Sequence, residues 1–441
     1  MSQTLSFRYD LSPSLLQDAA ISSHVGAARY AYNWAIGYVS DNWDAVRQGI
    51  ETEYVGNSAY SLRKALNAVK DEIAPWWGEN SKEAFATGTA NAAKAFKNWN
   101  SSRQGTRKGK KVGFPRFKRK SLTNDVAVRF TTGAIYLESD FVTVPRLGSI
   151  RLAERPKSVL WLLREGARIT QIAISRNGTK WAASVSVKME DELANRYFAG
   201  KTRKASKKAV GVDVGIKDAY ITSDGLVVAN PRYYVNLQRK LRQQQKRLSR
   251  RQKPNYKNGV APSKRWEKAR DDVRKTHARV VNTRKDFIHK TTRSLIDTYE
   301  TVVIEKLNVS GMVKNKHLSK HILDSSFYEF RRQLEYKARW YNREVILADT
   351  FYPSSKKCSS CGVVKAKLSL SERTYNCDAC GLVIDRDYNA ARNLVALSYR
   401  ETQNGRGGDS SGQVAIPDET LARETISGLS RKPNKAPNIH N

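Results

Sequence analysis

The chain has 441 residues, room for about three domains at roughly 150 residues each, and 40% of them are hydrophobic, enough to build buried cores. Seventy-eight Lys and Arg stand against 42 Asp and Glu, a net charge of +36, which favours a polyanionic partner and nucleic acid first. No run approaches the ~18 apolar residues of a membrane span, no basic amphipathic helix or lipidation site marks a membrane surface, and MSQTLSFRYDLSPS lacks a secretion signal, so a soluble intracellular protein is expected.

Residues 2–9 (SQTLSFRY) read as a short strand. From Pro13 to Trp99 apolar residues recur every three or four positions, which predicts a small helical bundle with its aromatics in the core. Residues 103–120 hold nine Arg or Lys and no acid, with Phe114 and Phe117 between the charges. That mixture suits phosphate contacts beside base stacking, and its candidate contacts are Arg107, Lys108, Lys110, Lys111, Phe114, Arg116 and Lys118. Alternating segments follow: VAVRF, AIYLE, FVTVPRLGSIRL, VLWLLRE, ARITQIAISR and KWAASVSVKM. Turn signals at Thr132-Gly133 and Asn177-Gly178 separate them, so an antiparallel barrel or sandwich is predicted.

The basic linker KTRKASKKA (201–209) marks a domain boundary. AVGVDVGIKDAYITSDG then reads as strand, turn, strand. Residues 232–293 are helical with a break near Pro254–Pro262, and carry 21 Lys and Arg against 4 Asp and Glu. Leu237, Leu241, Leu248, Trp266 and Val273 are too sparse for a buried helix. An exposed basic hairpin along a phosphate backbone is expected, with Arg242, Lys246, Arg247 and Arg250 as contacts. TVVIEKLNVSGM (301–312) is a strand with an acid at its exit, YNREVILADTF (341–351) another strand, and the segment after Tyr388 is helical. Past Arg400 the composition turns to Gly, Ser, Asn and Pro, and a mostly disordered tail is expected.

All four cysteines lie within 23 residues, as CSSC (Cys358, Cys361) and CDAC (Cys377, Cys380). Two C-x2-C knuckles supply a closed tetrahedral set of thiolates, the ligand set of a structural zinc; a redox pair and an iron–sulfur cluster are the alternatives. Gly362 and Gly381 follow each knuckle, where positive φ helps the turn.

Three acids stand in similar settings: Asp213 inside VGVDVGI, Glu305 ending VVIEKL, and Asp387 just before a helix. Burying a carboxylate inside an apolar strand is costly unless it is paired or binds metal. If the strands adjoin, the three oxygen donors could hold Mg²⁺ or Mn²⁺ and carry out two-metal phosphodiester hydrolysis; separate buried acids or helix caps are the bland alternative. The order Asp, Glu, Asp differs from the Asp, Asp, Glu of a transposase core.

VGVDVGIK, VVIEKLNVSGM, the paired C-x2-C ribbon and DRDYNAARN occur in the order found in the TnpB (OrfB) proteins, RNA-guided nucleases of insertion sequences related to compact type V CRISPR effectors. HVGAARYAYNWAI and AFKNW…KKVGFPRFKRK resemble the same family, so the likeness covers residues 1–400. It implies an α+β and α/β multidomain fold: a RuvC (ribonuclease-H-like) domain with an inserted zinc ribbon, preceded by a helical recognition domain and a wedge-like β-barrel. The implied divisions are 1–10 for the first barrel strand, 11–102 for the recognition domain, 103–200 for the rest of the barrel, 201–357 for the first part of RuvC, 358–380 for the target-nucleic-acid-binding ribbon, 381–400 for the last part of RuvC and 401–441 for the tail. Asp213, Glu305 and Asp387 match the family's acids as catalytic magnesium ligands, with Asp385 a nearby alternative to Asp387. The four cysteines match its zinc ligands. Lys82, Phe85 and Thr87 align with readers of a motif beside the target, although a packed helix is the plainer account of Phe85. Lys306, where an aspartate often stands, and Tyr388 depart from the family pattern without removing a ligand.

The resemblance implies a prokaryotic, cytoplasmic DNA endonuclease acting on the nucleoid, a monomer on one transposon-end guide RNA. It cuts double-stranded DNA beside a short motif and supports transposon retention. Two other readings share the motifs: a CRISPR effector using a CRISPR RNA, and a guided repressor that binds without cutting.

Overall fold

The computed structural model describes residues 2–50, 56–107, 109–119, 127–255, 258–369 and 371–404. The chain forms two compact units, Met1–Tyr197 with Gln244–Ala278, and Phe198–Gln243 with Arg279–Asn441.

The first unit begins with β1 (Ser2–Asp10), followed by helices α1 (Leu15–Arg47), α2 (Ala59–Ile73) and α3 (Lys82–Arg103). A capping box starts α1: Ser14 Oγ accepts the Gln17 N–H at 3.2 Å and Gln17 Oε1 accepts the Ser14 N–H at 3.1 Å. Its inner face is built of small residues, Ala27, Ala28, Ala31 and Ala35. Further along, Ile36 and Val39 pack with Leu62 of α2 and with Ala92 and Phe96 of α3. The predicted bundle is therefore formed, with Tyr32, Trp34 and Trp43 in or against its core.

Next come β2 (Val128–Phe130), β3 (Tyr136–Glu138), β4 (Phe141–Val144), β5 (Gly148–Arg151), α4 (Lys157–Arg164), β6 (Arg168–Asn177), β7 (Lys180–Glu190) and α5 (Asp191–Ala199). Pairing is antiparallel throughout, in a four-stranded sheet ordered β1-β7-β6-β2 and a three-stranded sheet β3-β4-β5. The N-terminal strand pairs with β7 from Ser2↔Glu190 to Asp10↔Ala182, so residues 172 to 188 positions apart share a ladder. A single Leu11–Leu152 bridge joins their neighbourhoods, and among the described residues no ring of strands closes into a barrel. VLWLLRE is also corrected: the expected strand is α4, whose buried residues Val159 and Leu162 are three apart, as on one helical face.

The second unit holds β8 (Lys207–Val214), β9 (Asp218–Thr222), β10 (Val227–Ala229), β11 (Tyr299–Glu305), β12 (Glu344–Ala348), and helices α8 (Val309–Met312), α9 (Ser319–Ser325), α10 (Phe327–Trp340) and α11 (Arg386–Asn404), with the hairpin β13 (Thr374–Asn376) and β14 (Val383–Asp385). The basic stretch folds as α6 (Tyr233–Ser249) and α7 (Lys264–Thr298), separated near the expected break. The main sheet is ordered β10-β9-β8-β11-β12, antiparallel on the β9 side and parallel from β8 through β12.

Alternation along β8 and β11 sorts their side chains to two covered faces. Val210, Val212, Val302 and Ile304 pack with Ile288, Leu295 and Ile296 of α7 and with Phe330 and Leu334 of α10. On the other face Val303, Ile346 and Ala348 meet Leu394 of α11. Each fully buried aliphatic side chain contributes about 1.5–3 kcal/mol. No helix among the described residues is long and apolar enough to cross a membrane. Helix α11 runs on to Asn404; the rest of the segment expected as a disordered tail lies outside the described residues.

Candidate active site and metal centre

Parallel β8 and β11 pair in register up to Val212↔Ile304. Asp213 and Glu305 are the next residues on each strand, so they stand side by side at the carboxyl ends of the parallel strands. They share the face that carries Gly211 and Val303, two residues earlier. Gly211 lets α11 approach: a Cβ there would lie 2.0 Å from the Ala391 carbonyl oxygen and 2.6 Å from the Val395 nitrogen. Asp387 is four residues before Ala391, one turn along the same helix face. Glycine on β8 and helical periodicity on α11 thus bring the third carboxylate to the first two.

Their electrostatics record this proximity. Asp213 is held well above the ordinary carboxylate range, first by burial, then by the charges of Glu305 and Asp387, with Arg386 opposing. Glu305 is raised by burial against a hydrogen bond from Ser354 and the charge of Arg386. Asp387 is raised by burial and by Asp385, while Arg373, Arg386 and Lys217 act the other way. A buried carboxylate whose proton affinity is raised by two neighbouring acids marks a place where positive charge is wanted.

Asp385 has a different position. Its Oδ1 accepts the backbone N–H groups of Asp387 and Tyr388 at 2.9 and 3.0 Å, capping α11. Asp387 keeps its carboxylate for other partners, Arg373 Nη1 standing 3.8 Å away.

Several residues that sequence reasoning did not single out hold this arrangement. Ser354 donates its hydroxyl to Glu305 Oε1. Asn393, 3% exposed, donates to the carbonyls of Ser354 and Lys357 at 2.8 and 2.7 Å. Asn389 is fully buried; it donates to the Lys357 carbonyl at 2.7 Å and accepts the Ser359 N–H at 2.9 Å. Both asparagines were in view in DRDYNAARN. Their apolar surroundings on α11 were the available signal, because a buried amide needs partners.

The four cysteines come together as expected. Their sulfurs all lie within 4.8 Å of one another, with Cys358–Cys380 at 3.6 Å and Cys361–Cys377 at 3.5 Å, and none is in a disulfide. Among the described residues this is the one group of three or more His, Cys, Asp or Glu drawn so tightly, the carboxylates being more widely spaced. The two knuckles repeat one geometry. The Gly362 N–H reaches the Cys358 carbonyl at 3.0 Å and the Gly381 N–H the Cys377 carbonyl at 2.9 Å, with φ of +80° and +72° at the glycines. Tyr375, fully buried, packs with Cys358 and Cys377. Backbone N–H groups of Cys380 and Ala379, the Cys380 one foremost, bring the Cys377 thiol down to about 6.

The expected nucleic-acid contacts divide. Lys82, Lys110, Lys111, Arg116, Arg242, Lys246, Arg247 and Arg250 are exposed. Phe85 and Thr87 pack inward, the plainer of the two accounts for Phe85. Phe85 is 6% exposed with its ring 5.9 Å from Trp76, and Thr87 Oγ1 accepts the Arg129 N–H at 3.1 Å, tying α3 to β2. Phe114 is half-buried in a cluster with Trp43, Phe96 and Trp99, ring separations being 5.4–5.8 Å; the exposed aromatic of that loop is Phe117. Arg107 folds back to the Lys110 carbonyl at 2.6 Å. Lys118 is half-buried with its ammonium 4.0 Å from the centre of the Tyr32 ring, and burial lowers its pKa. Lys108 lies outside the described residues.

Comparison with known proteins places the chain in a family. Residues 184–316 match the OrfB family of insertion sequences described as "Probable transposase", residues 327–394 the "Cas12f1-like, TNB domain", and residues 1–48 that family's "Helix-turn-helix domain". In this chain the last segment is a strand and one continuous helix. Three relatives carry the name "Putative RNA-guided DNA endonuclease". The Mycobacterium tuberculosis protein is 36% identical over 88% of this chain and 85% of its own length. The Streptomyces pristinaespiralis protein is 32% identical over 98% and 96%, and InsQ of Escherichia coli 26% over 90% and 93%. With identity of this order along nearly the whole length, the chain belongs to the OrfB (TnpB) family of RNA-guided DNA endonucleases.

Proposed function

We propose that the chain, loaded with a guide RNA from its element's end, opens double-stranded DNA beside a short motif and cuts both strands at one carboxylate site. The observation that carries this reading is the meeting of Asp213, Glu305 and Asp387 at the carboxyl ends of β8 and β11. The β10-β9-β8-β11-β12 order, antiparallel then parallel, supports a ribonuclease-H-like RuvC domain.

Asp213, Glu305 and Asp387 fit hard divalent cations, Mg²⁺ or Mn²⁺, because they offer only oxygen donors and the other two acids disfavour the charge on buried Asp213. When bound, such ions supply an activated water and stabilise the leaving oxygen of the phosphodiester. Asp213 and Glu305 fix the donor positions on rigid strands, Ser354 orients the Glu305 carboxylate, and Asp387 is aimed by the Asp385 cap. Arg373 and Arg386 offset charge on that side.

Cys358, Cys361, Cys377 and Cys380 would hold a structural zinc. A tetrahedron with Zn–S of about 2.3 Å has edges of about 3.8 Å, close to the 3.5 and 3.6 Å sulfur pairs and far from a bonded disulfide. Asn389 joins the first knuckle to α11, so the ribbon also steadies Asp387.

The domain divisions 1–10, 11–102, 103–200, 201–357, 358–380, 381–400 and 401–441 are carried forward as part of this reading. So is a monomer bound to one RNA. Pairing by the guide reads the target, and the exposed lysines and arginines of 110–116 and α6 contact phosphates.

Cleavage of a plasmid library with randomised bases beside the target tests the proposal, with protein co-expressed with RNA from its locus. Mg²⁺-dependent breaks that require one short flanking motif and vanish in Asp213→Ala are expected. Guide-dependent binding without breaks in either protein would overturn it in favour of a repressor.

A further inference from the structure

At the carboxyl ends of β8 and β11 a cavity of about 240 Å³ opens beside Glu305, on the sheet face opposite α11. Val214 and Ile304 line its apolar depth, and Phe327 and Tyr328, the first residues of α10, form its aromatic side. Ser326, just before them, is held at φ +54°, in the left-handed region that a residue with a side chain seldom occupies. That kink ends α9 and sets both rings over the strand ends. Tyr328 is left 61% exposed.

Arg331 closes the far side. Its guanidinium lies 5.8 Å from the Tyr328 ring centre. Its buried Nε stands 3.4 Å from Glu335 Oε1 without a hydrogen bond to any group. The Nε thus faces Glu335, while the guanidinium of this partly exposed side chain, at the wall of the cavity, has donors left for an acceptor from outside the protein. Aromatic rings beside an arginine are the equipment with which proteins hold single-stranded nucleic acid, the rings stacking on bases and the guanidinium meeting phosphate. Drug-sized ligands need about 300–1,000 Å³, so this smaller space admits one ring system.

We propose that the cavity is a subsite for one nucleobase of the DNA strand being cut. That nucleotide neighbours the phosphodiester held at the carboxylates; its base stacks on the exposed ring of Tyr328, with buried Phe327 forming the wall behind, and Arg331 donates to its phosphate. Glu305 borders both places, so a base seated here fixes which phosphate faces Asp213 and Asp387. Tyr328 and Arg331 are then positioning residues that set the cut position. The inference rests on the nuclease reading above and adds to it the device that registers the strand.

The test uses the protein–guide RNA complex. Cut ends are mapped to the nucleotide, and single-turnover rates are measured on targets with one abasic site at each position around the cut. The wild-type complex is expected to lose about tenfold in rate when the missing base falls at one position. Tyr328→Ala and Arg331→Gln complexes are expected to scatter their cuts over neighbouring phosphates and to lose that positional dependence, with guided target binding and melting temperature retained. Tyr328→Phe, which keeps the ring, is expected to restore the single cut position. Variants that cut at the wild-type phosphate with the wild-type abasic profile would remove this subsite while leaving the nuclease reading intact. A wild-type complex that binds target without cutting would overturn both.

Discussion

Asp213 shows at the scale of one residue how function is set against stability. Burial and two neighbouring acids favour its protonated form in the folded chain. Between the ordinary carboxylate range and its raised value, the folded protein therefore binds more proton than the unfolded chain does. Stability of the metal-free protein falls as pH rises through that window. Asp213→Asn keeps the shape and removes the charge. It is expected to abolish cutting and, by thermal denaturation without divalent metal, to be more stable than wild type by on the order of 1 kcal/mol at neutral pH. The difference should shrink as pH falls toward about 4, where the wild-type carboxyl is neutral in the folded state and about half ionised in the unfolded chain. Equal melting curves at neutral pH would show that the acids do not strain one another. Asp385, two residues from Asp387, illustrates the opposite use of the same group: its oxygen is committed to two backbone N–H groups.

At the scale of elements the site depends on how closely α11 lies on β8. Gly211 is the contact that permits it, since any Cβ there would collide with the Ala391 carbonyl and the Val395 nitrogen, backbone atoms that cannot rotate away. Gly211→Ala is expected to destabilise by about 1–3 kcal/mol, the cost of overpacking a close contact. Because the strain lifts α11, it should also lower the cutting rate by more than tenfold with guide RNA binding retained. Melting and single-turnover cleavage on the same preparation check both; a variant that loses stability but cuts at the wild-type rate would show that Asp387 does not depend on this contact. The asparagine ties of α11 to residues 354–359 act in the same direction, joining the cysteine centre and Glu305 to one helix.

For the whole molecule the dominant quantity is charge. A net +36 over a long anionic partner releases counterions, so affinity for the target should fall steeply as salt rises. Arg242, Lys246, Arg247 and Arg250 are exposed along and just beyond α6, where positions 242 and 246 are one turn apart on one helical face. Removing one phosphate contact, as in Arg247→Gln, is expected to reduce the slope of log K against log salt by about 0.7–0.9 while leaving the flanking-motif preference unchanged. An unchanged slope would place α6 away from the backbone. By contrast, charge said nothing of where Phe85, Thr87 and Phe114 would sit, and those three turned inward to packing.

Local spacing was enough to expose the cysteine set, since two C-x2-C turns each bring their own ligands together, and enough for the bundle helices, whose periodicity is written within one turn. It also marked Asp213 and Glu305, because a charge in or ending an apolar run is costly wherever it ends up; Asp387, in the polar stretch DRDYN, was marked by its place before a helix and by the family resemblance. Short apolar runs were not decided so locally: VLWLLRE is equally apolar as helix or strand, and its packing partners chose the helix. Barrel closure likewise depends on pairings between distant segments, and the described strands of the first unit settle into two sheets instead. Only the tertiary structure could show that Gly211 admits α11, that Ser354 and two asparagines brace the acids, and that Phe327, Tyr328 and Arg331 frame a cavity beside Glu305. Those facts arise from contacts between residues tens to nearly two hundred positions apart, which no window of sequence contains.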